Sequence, residues 1–173
     1  APGNQAWRYE RPLADASLGL RRNGEAIRIY RALIASGNHP RTSTLHANLA
    51  VACYRAGATS EAKAAAEEAL AMHPSNPEAM KTLGLADLRE GNREAGLARL
   101  RAALERNPRI PEAQLALAEI EAALGDVESS LERYRKLRSW LPGALSTDYH
   151  RRWRDLFFPG GRSTAEELEA HLT

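Results

Sequence analysis

The chain has 173 residues, 43% of them hydrophobic, a length that suits about one domain with a real core. Ala, Leu, Arg and Glu dominate while Val and Ile are scarce, which favours helices and disfavours strands. The formal net charge is only +2, the single cysteine (Cys53) excludes an internal disulfide, and no apolar run approaches a membrane span.

The small net charge hides a pattern. Residues 1–60 carry +5, residues 61–132 carry −6, residues 133–162 carry +6 and the last eleven carry −3. Basic ends around an acidic middle either steer a charged partner or form an unevenly solvated surface. The chain opens on Ala-Pro-Gly, which leaves removal of a signal peptide open. A soluble protein is expected, cytoplasmic or exported after signal removal.

In chain order, Trp7 and Tyr9 begin or cover a first helix. The segment Leu13 to Ile34 reads as a helical hairpin whose turn is supplied by Asn23-Gly24, with Arg21 where later copies carry glycine. Next, Leu45, Leu49, Ala52 and Cys53 share a helical face, and Gly57 breaks that helix. Ser60 is the expected N-cap of the following helix, which presents Ala62, Ala66, Ala69 and Leu70 before Pro74 ends it.

That pattern recurs at a shift of 34 residues: Leu49, Leu83 and Leu117 align, as do Ala50, Gly84 and Ala118. So do Gly57, Gly91 and Gly125, then Ala69, Ala103 and Leu137, then Pro74, Pro108 and Pro142. The first copy is offset from the second by 36, because its connection is two residues longer. A period of 34 marks stacked helix pairs, none of which hides its apolar face alone. Alanine lets the paired helices approach closely, and leucine fills the remaining volume. Gly84 predicts a tight crossing, with Gly84→Leu overpacking it and Leu83→Ala costing about 2–5 kcal/mol.

Beyond the repeats, Leu145, Tyr149, Trp153, Leu156 and Phe157 share one side of a predicted helix. They cap the array or bind a partner. Pro159 to Gly161 ends that helix, and Ser163 with Glu166 forms a capping box for a short tail helix.

Little in the chain reads as chemistry. The five histidines have no zinc-site spacing, the glycines fall singly at helix ends, and Glu67-Glu68 and Glu166-Glu167 read as solvated faces. No catalytic residue, metal site or cofactor is expected. The arginines between 133 and 154 are weak evidence for nucleic acid, since no nucleic-acid fold is visible.

The columns resemble the tetratricopeptide repeat family through Leu83-Gly84, Leu100, Ala103 and Pro108, and again through Leu117-Ala118, Tyr134 and Pro142. The resemblance covers residues 7–142. It implies an all-α, right-handed superhelical solenoid of about four helix–turn–helix repeats (7–40, 43–76, 77–110 and 111–144) with a C-terminal capping helix over 143–173. Asp87 and Glu121 depart from a column the family often fills with Tyr, where looser packing is expected.

The resemblance also implies a concave groove lined by the first helix of each unit. The expected partner-binding residues are Asn48, Val51, Tyr54, Arg55, Lys81, Thr82, Leu85, Arg89, Leu115 and Glu119, with Arg8, Arg11 and Asp15 from the first unit. Val51, Leu85 and Leu115 either meet a partner or only pack against neighbouring helices. One subset of the family grips C-terminal carboxylates with Lys and Asn; Asn48 fits, but Glu78 and Thr82 stand where basic residues are needed. The implied function is a non-enzymatic scaffold that binds a protein or peptide. The alternatives are the recruiting domain of a larger enzyme and a self-assembling module that binds another copy.

Overall fold

The computed structural model describes residues 7–37 and 41–140. The expected capping and tail helices over 143–173 lie outside these residues. Among the described residues the chain is all helix: α1 (Trp7–Gly19), α2 (Asn23–Ala35), α3 (Thr42–Arg55), α4 (Thr59–Met72), α5 (Pro77–Arg89), α6 (Arg93–Arg106), α7 (Pro111–Ala123) and α8 (Val127–Trp140). By contacts the chain forms two compact units that divide at Ala86/Asp87, inside α5. In the first unit α1 packs on α2, α2 on α3 and α3 on α4; in the second α6 packs on α7 and α7 on α8.

Each hairpin is closed by one device. At the end of α3, the Gly57 amide donates to the Tyr54 carbonyl at 3.1 Å and the Ala58 amide to the Cys53 carbonyl at 2.9 Å. This is the Schellman arrangement, which satisfies the last carbonyls of a helix through a left-handed residue. The same pair of bonds recurs around Gly91 and Gly125, and φ at the three glycines is 84–87°.

The first hairpin corrects the sequence expectation. Its left-handed residue is Arg21 itself, at φ 59°, with bonds from Arg21 N to Leu18 O (3.1 Å) and Arg22 N to Ser17 O (2.8 Å). Asn23 and Gly24 are instead the first residues of α2. The motif demands a left-handed backbone at one fixed position, and glycine two or three residues later does not serve it.

The caps also differ from expectation. Ala58, not Ser60, caps α4, because the Schellman turn ends at Ala58 and the helix starts at Thr59. Among the described residues, Asn76 and Asp126 do cap helices with their side chains. Asn76 Oδ1 accepts from the Glu78 and Ala79 amides, both at 3.1 Å, ahead of Pro77 at the first position of α5. Asp126 Oδ1 accepts from the Ser129 amide at 3.2 Å. At the far ends, His73 and Asn107 are extended before Pro74 and Pro108, the conformation a following proline imposes.

The core is alanine and leucine. α4 buries Ala62, Ala65, Ala66 and Ala69, so small side chains form the face it turns inward. α3 and α7 are buried nearly all round, from Leu49 to Tyr54 and from Ala113 to Glu121. Such helices must be covered on two sides, by their own hairpin partner and by the preceding helix.

Candidate functional site: a polar strip along the first helices

Two polar columns recur between the helices of a hairpin. In the first, an acid on the first helix meets a tyrosine on the second. The Tyr30 hydroxyl donates to Asp15 Oδ1 at 2.6 Å, and the Tyr134 hydroxyl donates to Glu119 at 3.2 Å. The intermediate units fill these positions with Val51 and Ala66, then with Leu85 and Leu100. The Tyr30 hydroxyl is pushed well above its usual range, chiefly by burial and then by its bond to Asp15.

In the second column an acid meets an arginine. Arg99 pairs with Asp87, and Arg133 Nε reaches Glu121 at 2.7 Å. Arg133 also donates to Gln114 at 2.7 Å. The looseness expected at Asp87 and Glu121 is therefore replaced by ion pairs, with Asp87 only 2% exposed. An arginine twelve residues downstream was the legible signal.

Seven of the ten expected partner-binding residues are buried: Val51, Tyr54, Lys81, Thr82, Leu85, Leu115 and Glu119. Lys81 is held by Glu78 at 2.6 Å, and the Thr82 hydroxyl donates to the Glu78 carbonyl at 2.9 Å. Asn48, Arg55 and Arg89 are half-buried. Arg89, Leu115 and Glu119 belong to the second unit, the other seven to the first.

The first unit brings part of this set together. Asn48 Nδ2 donates to Asp15 Oδ1 at 3.0 Å and lies 3.3 Å from the Tyr30 hydroxyl. Arg55 Nη1 donates to the Leu18 carbonyl at 3.3 Å, and Arg11 Nε lies 3.6 Å from Asp15. Arg11, Asp15, Asn48 and Arg55 thus form a partly exposed polar strip across α1 and α3, fixed from beneath by Tyr30. Arg11 and Asp15 come from the three residues expected of the first unit rather than from the ten, and the structure gives the central place to Asp15. Its bond to Tyr30 fifteen residues away is matched by that of Glu119 to Tyr134.

Cys53 is buried, and burial pushes its thiol up, away from the thiolate a nucleophile needs. No group of three His, Cys, Asp or Glu side chains gathers to hold a metal among the described residues.

The tetratricopeptide repeat model matches residues 11–77 and 81–140, and the chain belongs to that family. Its members generally mediate protein–protein interactions, and this chain is a protein-interaction module of that class. No curated protein sequence matches it. Among solved structures, the crystal structure of MamA is similar at 18% identity and TM-score 0.57, over 92% of this chain and 95% of that one. TTC0263, a thermophilic tetratricopeptide repeat protein of Thermus thermophilus, is 24% identical at TM-score 0.61, over 83% and 77% of the two chains. A MamA structure designated MSR-1 is 16% identical at TM-score 0.59, over 97% and 99%. These likenesses show the same helical-repeat fold.

Proposed function

We propose that this chain is a non-catalytic scaffold that holds an extended or helical segment of a partner protein along the first helices of its repeats. The observation that carries this reading is the fixed, partly exposed polar strip Arg11–Asp15–Asn48–Arg55 across α1 and α3. Side chains locked in place lose little conformational entropy when a partner arrives, so each new hydrogen bond counts more fully. The guanidinium groups suit carboxylates or backbone carbonyls of the segment, and Asn48 suits its amides. Direct contact falls to Asn48, Arg55 and Arg89. Val51, Tyr54, Lys81, Thr82 and Leu85 in the first unit, and Leu115 and Glu119 in the second, are buried and lie outside that contact.

Photo-crosslinking tests the assignment. A crosslinker is placed at position 48 or 55, and in parallel at exposed Glu67 or Glu68 on α4. Partner capture from positions 48 and 55, and not from 67 and 68, is expected. Equal capture from both sets, or capture from α4 alone, sinks the groove reading.

A further inference from the structure

α1 carries a second surface. Tyr9, Leu13, Ala16 and Leu20 recur at spacings of four, three and four, which places them on one face of three helical turns. Leu20 continues the helix, its amide donating to the Ala16 carbonyl at 2.9 Å. This face is bare: Tyr9 is 83% exposed, Leu13 52% and Leu20 67%, and Ala16 is exposed as well.

The repeat shows what such a face is for. The positions equivalent to Tyr9, Leu13 and Ala16 are Leu45, Leu49 and Ala52 on α3, and Ala113, Leu117 and Ile120 on α7. All six are buried, on helices packed against the preceding α2 and α6. Among the described residues, α1 has no preceding helix. It therefore presents uncovered three positions, Tyr9, Leu13 and Ala16, whose equivalents two later first helices bury, while Leu20 extends the bare face by one turn.

We propose that a second copy of this chain covers the stripe, α1 against α1, in an antiparallel two-fold pair. The four-three-four spacing reads the same in both directions. A two-fold axis midway along the stripe sets Tyr9 opposite Leu20 of the other copy, and Leu13 opposite Ala16. A large side chain then faces a smaller one at every level. The charges agree with this direction. Glu10 is exposed at the start of the stripe, and Arg21 and Arg22 are exposed at its end. The antiparallel pair brings each Glu10 to the arginines of the other copy, and it opposes the two helix dipoles. A parallel pair sets acid beside acid and arginine beside arginine. Three helical turns bury far less than the ~1,200 Å² of a standard stable interface, so the dimer is weak and exchanges. Arg11 and Asp15 lie off the stripe, so dimerisation and use of the polar strip are separate properties.

Sedimentation equilibrium over about two decades of concentration tests the proposal. The parent chain is expected to pass from monomer to dimer, and Leu13→Glu to weaken the dimer about tenfold or more. Circular dichroism melts of that variant should match the parent, because Leu13 is half-exposed. Glu10→Arg weakens the dimer, and Glu10→Arg with Arg22→Glu restores it. Tyr9→Cys forms no disulfide-linked dimer on mild oxidation, since eleven helical residues, about 16 Å, separate the two copies of position 9. A chain monomeric throughout, or a dimer unchanged by Leu13→Glu, overturns the proposal. A cross-link through position 9 overturns the antiparallel pairing.

Discussion

Arg21 shows how strongly the hairpin geometry constrains single residues. It holds φ 59° where three other units use glycine, and a non-glycine residue in that region costs about 1–2 kcal/mol. Its side chain is exposed, so little packing offsets the cost. Arg21→Gly is expected to raise stability by about 0.5–1 kcal/mol, after the extra freedom glycine gives the unfolded chain. A chemical denaturation midpoint that stayed the same or fell would refute this. His46 gives a pH dependence. Burial lowers its pKa, against a smaller opposite influence of Glu68. The unfolded chain therefore takes up a proton first as pH falls below about 6.5, and the folded state loses stability until its own, lower pKa is passed. Between pH 7 and 5.5 the parent should lose more thermal stability than His46→Gln; equal losses would show that His46 does not contribute.

Each helical hairpin here is joined at its turn by a Schellman motif, and the hairpins α1–α2, α5–α6 and α7–α8 also by polar pairs between their two helices. Removing one partner of a column should hurt more than removing both. Arg133→Met leaves Glu121, which is 8% exposed, without its principal cation, at a cost of about 1–3 kcal/mol. Glu121→Leu with Arg133→Met should recover most of that loss. A double variant no more stable than the single one would show that the pair is not coupled. Tyr134→Phe should cost about 1–2 kcal/mol by depriving buried Glu119 of a donor, measured as a shift in unfolding midpoint at constant m-value. Leu83 and Gly84 are both buried; thermal melts are expected to show Leu83→Ala costing about 2–5 kcal/mol and Gly84→Leu destabilised by overpacking.

For the molecule as a whole, the basic first 60 residues and the polar strip of the first unit coincide. Recognition that depends on Arg11 and Arg55 weakens as salt screens partly exposed charges. Partner capture through position 48 should therefore fall when ionic strength is raised from about 0.05 to 0.5 M, a step that cuts the screening length about threefold. Capture that did not change would assign the affinity to apolar contacts instead. The apolar contacts of the α1 stripe are not screened by salt, whereas the proposed pairing of Glu10 with the other copy's arginines is.

The helix pairs, their number and their turns were legible because a 34-residue period repeats its chemistry: glycine where the backbone must turn left-handed, proline where a helix must end, alanine where helices meet. Those are local demands, and local sequence answers them. The first turn was misread because Arg21 meets a demand that only the shared hairpin geometry reveals. Which side chains keep contact with water was not legible. Lys81, Thr82 and Asp87 look like surface residues by type, and Asn48 and Arg55 look no different from them. Burial is decided by what packs over a position, and ion pairs such as Lys81 with Glu78 and Arg99 with Asp87 offset the desolvation that burial costs. The tertiary structure alone separates the polar residues that hold the hairpins together from those that still face outward.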